Sequence, residues 1–495
     1  MMKQGKRTAA VALAAAVVVS ASAAQDAGTP GVEGRLLEIL KSRGVISAAE
    51  FGELRRLEQE LRTSADVEKA VDTRIEEMVA RVAQDAPKVG YKPGSGFTFA
   101  TADKNFSLNV GGRLQARFTY DAFENETNGT PAGTAADPGE DRLDFSVPRM
   151  RLWFKGVAFD PRLKYELQFD VAGDQATGAS GTSYNGVQFG SSKPNANRLA
   201  ELKDAYVDYQ VTDNKALNVK FGQYKVQYSR QQMTSSGRLE FVDRAPTDAW
   251  FAPGRAPGLS AWGTMGGEKE DIFEWYAGAF NGGNMSGTAY LEGENVANDD
   301  NGLLYNARVA WNPMGGVPYA QADLRPEEDR GTFLLAVGAN AWFHDDDNRR
   351  ADGDTFAQAS YGVDVTAMWD GWFFTGEAHW RDSAQRNSTS TATPPVTTSY
   401  DDIGTDGWFA QLGYCVIPQK FDVGFRWSVV DFDNTTASTS ISKDGITEWL
   451  VTAGWYWNEH ACKLQADFGR VEDHAVNASS NVDEWRFRLQ FQLIF

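Results

Sequence analysis

The stretch 484–495, EWRFRLQFQLIF, alternates in twos. Trp485, Phe487, Leu489, Phe491, Leu493 and Phe495 fall on one face. Arg486, Arg488, Gln490 and Gln492 fall on the other, with Ile494. Successive side chains of a β-strand point to opposite faces, so this period predicts a strand. One side of that strand must be apolar and the other must accept two arginines.

The same period runs through residues 97–495. FSLNVGGRLQARFTY sets Phe106, Leu108, Val110, Leu114, Ala116, Phe118 and Tyr120 against Arg113, Gln115 and Arg117. PRMRLWFKG sets Met150, Leu152 and Phe154 against Arg149, Arg151 and Lys155. LKYELQFDV, LNVKFGQY, LLYNARVAW, WFFTGEAHW and FDVGFRWSVV continue the pattern. Some connections are tight, such as DPR after Phe159 and NEH after Trp457. Others are long and rich in Asp, Asn, Ser, Thr and Gly, such as ENETNGTPAGTAADPGED. The runs number about sixteen, and an even count with short turns on one side and long loops on the other describes an outer-membrane barrel. A soluble sandwich also alternates, but it buries its apolar face against a second sheet. It has no use for Trp455, Tyr456 and Trp457, or Trp369 and Trp372, at strand ends, whereas amphipathic rings suit a lipid interface. The expected fold is an all-β transmembrane antiparallel barrel of about 16 strands.

Composition agrees. Fifteen Trp, sixteen Tyr and twenty-nine Phe accompany a negative mean hydropathy, as a polar-lined barrel in lipid requires. The start reads as an export signal over residues 1–23. Lys3, Lys6 and Arg7 precede an apolar run ending in Ala21-Ser22-Ala23, which is too short for a membrane anchor. The net charge of −19 becomes −22 once those three cations are removed. Such a chain repels nucleic acid. Past the signal no stretch of about 18 apolar residues occurs, which excludes spanning helices.

Residues 24–90 read as a short α-helical leader. Gly44 interrupts a first apolar run, and Ser47 with Glu50 forms a capping box for a second. Val71, Ile75, Met78 and Val82 then make a heptad-like seam. That seam fits either a coiled coil or an amphipathic helix packed on its own domain. Pro93, Gly94 and Gly96 make residues 91–96 a linker. Strand parity places Cys415 on the lumen side and Cys462 on the lipid side, three strands apart, so no disulfide is expected.

Charge decides which face is which. An Arg or Lys facing lipid at mid-depth costs ~2–4 kcal/mol, so the charged face is the lumen. Arg113, Arg117, Arg149, Arg151 and Lys155 then line the pore. Closure of the sheet brings Arg486 and Arg488 beside them, giving one basic wall. Asp364, Glu377, Asp422 and Asp467 are expected on an opposite, acidic wall. Such charges can pair locally and stiffen the wall. Any excess of guanidinium attracts small anions and holds phosphate or carboxylate bidentately.

FGQYKVQYSRQQMTSSGRLEFVDRA, residues 221–245, resembles a signature of the phosphate-selective porin O and P family. Its marks are G-x-x-K at Gly222–Lys225, the hydroxyl run from Thr234 to Ser236, and F-x-x-R at Phe241–Arg244. PRMRLWFKG, AGAFNGG and the Phe-rich last strand are similar too. The resemblance implies a homotrimeric sixteen-stranded outer-membrane barrel, with a helical leader in the periplasm and a long loop folded inward. It implies Lys225 near the constriction, and Arg230, Arg238 and Arg244 on or beside that loop. The Phe-ending pattern resembles the signal read by the outer-membrane insertion machinery. The chain lacks the repeated arginine ladder and lysine cluster of phosphate-selective members. The expected function is therefore passive diffusion of small hydrophilic solutes, general or weakly anion-preferring, with phosphate among the anions that the basic pore wall would take.

His344, His379, His460 and His474 lack metal-ligand spacing, and no nucleophile-elbow or P-loop motif occurs. No enzymatic role and no cofactor are expected. Two other classes fit parts of the pattern: a barrel-anchored surface or adhesive protein, and an exported soluble glycan-binding β-protein.

Overall fold

The structure is a computed structural model, and it describes residues 38–52, 56, 73–78, 86–124, 141–172, 201–266, 271–282, 302–344, 358–383, 388–389, 397–398, 403–433, 443–475 and 482–495. The chain divides into two units.

The smaller unit takes Met1–Tyr91, Phe97–Leu108 and Val157–Pro161. Gly44 has φ +68°, a conformation that favours glycine, and it separates two helical stretches. The capping box is formed. Ser47 N donates to Glu50 Oε2 (2.7 Å), and Glu50 N donates to Ser47 Oγ (3.2 Å). Of the predicted heptad seam, Val71 and Val82 lie outside the described residues, while Ile75 and Met78 are half-buried in a short helical stretch. Phe106 and Phe159 pack edge to face at 5.2 Å.

The larger unit holds a closed antiparallel barrel of sixteen strands. They are β1 (Ser107–Glu124), β2 (Arg142–Ala158), β3 (Asp160–Asp170), β4 (Glu201–Gln210), β5 (Asn218–Lys225), β6 (Arg255–Met265), β7 (Phe273–Asn281) and β8 (Leu303–Trp311). There follow β9 (Leu334–His344), β10 (Gln358–Trp369), β11 (Trp372–Ser383), β12 (Ile403–Ile417), β13 (Phe421–Asp433), β14 (Lys443–Asn458), β15 (Cys462–Ala475) and β16 (Val482–Ile494). Each strand pairs with the next in sequence. β16 returns to pair with β1, with Leu493 opposite Leu114 and Phe487 opposite Tyr120. Closure leaves no edge, which a backbone in lipid requires.

Alternation survives in the burial pattern. Along β13, Val423, Phe425 and Trp427 are exposed while Asp422, Arg426, Ser428 and Val430 are buried. Trp311, Trp369, Trp372, Trp455 and Trp457 are exposed near the short-turn ends of their strands. Trp380 stands eight residues beyond Trp372 on β11. At roughly 3.3 Å per residue, the two rings are about 26 Å apart along the strand, close to the ~25 Å apolar band of such barrels.

Two details differ from the alternation read along the sequence. β2 carries an extra residue opposite Gln115–Arg117 of β1, at Val147–Pro148. Proline lacks an N–H for the ladder, and a bulge accommodates it. The bulge flips the parity of the upper half of β2, which leaves Leu143 and Phe145 exposed. The DPR turn contracts to Phe159, which sits at φ +67°, and β3 already begins at Asp160.

Candidate functional site

The interior of the barrel is occupied. Residues 226–254, between β5 and β6, fold inward and are largely buried. Within this segment lie α1 (Arg230–Met233), capped by Ser229 Oγ accepting from Gln232 N (3.1 Å), and α2 (Pro246–Phe251), with proline in its first turn. The loop is held by an apolar cluster and by wall side chains that satisfy its backbone. Trp250 and Phe251 pack with Trp342, Val430 and Phe432. Trp342 Nε1 donates to Phe251 O (2.8 Å) and Arg381 to Trp250 O (2.8 Å). Gln465 donates to Glu240 O (2.6 Å), and Lys463 to Leu239 O (2.7 Å). A carbonyl folded away from water needs such donors.

The predicted basic residues gather where the loop meets β1–β6 and β16. Asp243, on the loop, is their hub. It takes Arg117 at 2.7 Å, Arg149 at 3.1 Å and Arg488 at 3.3 Å. Burial alone would raise its carboxyl, but Arg117, Arg149 and Arg488 hold it well below the usual carboxylate range. Arg151 binds Asp170 (2.9 Å), and Arg255 forks onto Asp204 with two bonds of 3.1 Å. Arg113 reaches only hydroxyls, Ser236 Oγ at 3.0 Å and Ser235 Oγ at 3.4 Å. Lys225 donates to two loop carbonyls, Gln232 O (2.5 Å) and Thr234 O (3.2 Å). Arg244 donates to Gln231 O and Thr234 O and stands 3.7 Å from Asp248. Among the described residues, neither Arg113 nor Lys225 has a carboxylate within ion-pair distance.

The remaining predicted residues lie elsewhere. Lys155 stands 5.5 Å from the Trp153 ring. Arg486 is neutralised by Asp121 and Glu484. Arg238 is exposed on the loop. Arg230 is buried, turned onto Val317 O and Pro318 O (both 2.8 Å) and over Tyr319.

The acidic wall is rearranged from the sequence expectation. Asp467 is on β15, beside β16, and chelates Arg488 with two bonds of 2.8 Å. It therefore belongs to the basic side. Asp364 is paired with Arg308, and Glu377 accepts from Gln231 N of the loop (2.6 Å). Cys415 is buried on the inner face and Cys462 half-buried, and both are free. His379 is buried between Tyr228, Phe251 and Glu377 as part of the loop's seat.

Sequence reasoning missed Asp243, Asp170 and the Arg255–Asp204 fork, because ion pairs across strands depend on register. It also missed a second inward segment, residues 312–333 between β8 and β9. Gln321 N donates to Arg238 O (2.9 Å), and Gln321 Oε1 accepts from Glu240 N (3.0 Å). The only available signal was length, since 312–333 breaks the rule of short turns at that rim.

A closed barrel with an aromatic outer belt, a polar interior and an inward loop is an outer-membrane channel rather than an enzyme. The chain belongs to the phosphate-selective porin O and P family, whose model matches residues 108–495. It is 24% identical to Porin O of Pseudomonas aeruginosa over 469 residues, covering 84% of this chain and 94% of that one. An uncharacterized protein of Aquifex aeolicus is 25% identical over 361 residues, 70% of this chain and 78% of that one. Among solved structures, the outer membrane channel DcaP of Acinetobacter baumannii matches with a TM-score of 0.48 at 13% identity, covering 78% of this chain and 97% of that one. An anion-selective porin from Comamonas acidovorans matches with a TM-score of 0.44 at 12% identity, covering 78% and 99%.

Proposed function

We propose that this porin passes small anions in preference to cations, inorganic phosphate among them, along the arc where the inward loop faces β1–β6. The observation that carries the reading is the charge count of one connected cluster. Arg113, Arg117, Arg149, Arg151, Lys225, Arg244, Arg255 and Arg488 face Asp170, Asp204, Asp243, Asp248 and Asp467. Eight cations against five carboxylates leave three positive charges in a confined space, where their field is strong. Arg113 and Lys225, bonded only to neutral oxygens, can exchange a hydroxyl or a carbonyl for an anion. The description of the family whose model matches residues 108–495, phosphate-selective porin O and P, points the same way.

In this reading residues 1–23 direct Sec-type export, and the leader of residues 24–90 lies in the periplasm. The barrel is inserted by the outer-membrane machinery and assembles as a homotrimer. The test is the reversal potential of single channels in a potassium chloride gradient. Arg149→Gln with Arg151→Gln lowers the anion-over-cation permeability ratio, and phosphate added to chloride reduces the chloride current. An unchanged reversal potential in the double variant rejects the basic arc as the source of selectivity.

A further inference from the structure

One buried acid of the inward loop has no part in the basic arc. Glu240 is fully buried against β12–β14, and Asp422 of β13 is 1% exposed beside it. Glu240 Oε2 accepts from Gln411 Nε2 (2.6 Å), and Asp422 Oδ2 accepts from the Tyr456 hydroxyl (3.0 Å). The other oxygen of each carboxyl, Glu240 Oε1 and Asp422 Oδ1, is buried with no donor among the described residues. Glu240 Oε1 lies against Gly424, two residues along β13 from Asp422, so the two carboxyls share one recess and act on each other. Two acceptors cannot bond unless one carries a proton.

The wall is shaped to receive them. A Cβ at Gly413 of β12 would overlap Glu240 Oε1, and one at Gly454 of β14 would overlap Asp422 Oδ1. At Gly424 of β13, a Cβ would stand 3.1 Å from Glu240 Oε1. Glycines on three consecutive strands thus form a recess for the carboxyl pair. Two cations face it, Arg426 toward Glu240 and Lys463 toward both carboxyls, and each is shared with other partners. Arg426 of β13 is committed to Glu448 (2.8 Å). Lys463 of β15 donates to Leu239 O and lies 3.2 Å from His460 Nδ1 in the adjacent turn. β14 contributes Tyr456, β12 contributes Cys415, and the 312–333 segment contributes the neutral Gln321. Burial first, and then Asp422, push the Glu240 carboxyl well above the usual carboxylate range.

We propose that Glu240 is a proton-dependent latch: a carboxyl shared with Asp422 seats the inward loop in the glycine-lined recess, and loss of that proton unseats the loop and widens the path. The sign follows from linkage. A carboxyl raised by its folded environment supports that state while protonated, and the support fades as pH rises. Loss of the proton leaves two buried anions side by side, which repel and draw in water.

The experiment measures planar-bilayer conductance of the full chain from about pH 5 to about pH 10, bracketing the ordinary range of a raised carboxyl. Wild type, Glu240→Gln and Asp422→Asn are compared. The wild-type conductance is expected to rise reversibly on the alkaline side. Glu240→Gln keeps a donor toward Asp422 and cannot ionise, so the rise is lost, as it is in Asp422→Asn. Infrared difference spectra between the two pH limits supply a readout independent of conduction. They should show a protonated carboxyl band in wild type that is missing from both variants. A flat wild-type profile, a rise that persists in Glu240→Gln, or an unchanged carboxyl band overturns the latch. Heat-modifiable gel migration checks folding; if one variant fails to fold, the wild-type spectrum and the other variant decide. Loss of all channel steps would instead count against the diffusion reading and leaves the carboxyl band as the arbiter of the latch.

Discussion

Asp243 shows how much one residue can set in such a lumen. Three guanidinium groups converge on a single loop carboxylate, so it both neutralises charge and pins the loop to β1, β2 and β16. Replacing it with Asn removes one of the five carboxylates and raises the anion-over-cation permeability ratio in the same gradient measurement. It also leaves Arg117 and Arg149 without their carboxylate; because Asp243 is half-buried, the loss falls below the ~3–5 kcal/mol of a fully buried pair broken on one side. The temperature at which the folded gel band disappears should fall accordingly. The wild-type seat tolerates acid, because a carboxyl held this low keeps its charge until the medium is strongly acidic. Nothing in the string FVDRA marks that aspartate as a hub. Its partners are more than ninety residues away or more, and only the fold brings them in.

At the scale of elements, the inward loop and the 312–333 segment enter from opposite ends of the barrel and meet. Arg230 is the tie, with two bonds to carbonyls and its guanidinium 4.4 Å from the Tyr319 ring. A cation–π contact shielded from water is worth roughly 2 kcal/mol. Arg230→Ala is expected to loosen the segment and raise single-channel conductance, with the selectivity of the basic arc retained. Conductance equal to wild type would make the contact incidental to the pore width. The inward loop was legible as a resemblance over residues 221–245. Its mode of attachment was not, because inner-face apolar residues such as Phe280, Leu304, Trp342 and Val430 look like any other aromatic or aliphatic residue in an alternating strand.

The whole molecule is governed by closure. Gly112 N donates to Phe495 O (2.8 Å), and Phe495 N returns the bond to Gly112 O (3.0 Å). A Cβ at Gly112 would come within 2.7 Å of the Phe495 ring. Gly112→Val therefore overpacks the seam at a cost of about 1–3 kcal/mol, and the fraction of chains in the heat-modifiable folded band should drop. Net charge behaves differently at this scale. The chain is strongly acidic overall, yet the cluster beside the inward loop is positive, so the sum carries no information about the lumen.

The sequence by itself determined the barrel, an approximate count of its strands, the inward direction of charge and the pairing of the last strand with the first. These follow from a period of two and from the penalty on charge in hydrocarbon, and both act residue by residue along the chain. Only the tertiary structure decided which charges remain uncancelled. Arg488 and Arg113 have identical chemistry on two paired strands. Arg488 is cancelled by Asp467 and the loop's Asp243, while Arg113 reaches only the hydroxyls of Ser235 and Ser236. Cancellation depends on distances of a few ångströms between residues far apart in sequence, and closure, register and the inward fold of residues 226–254 set those distances.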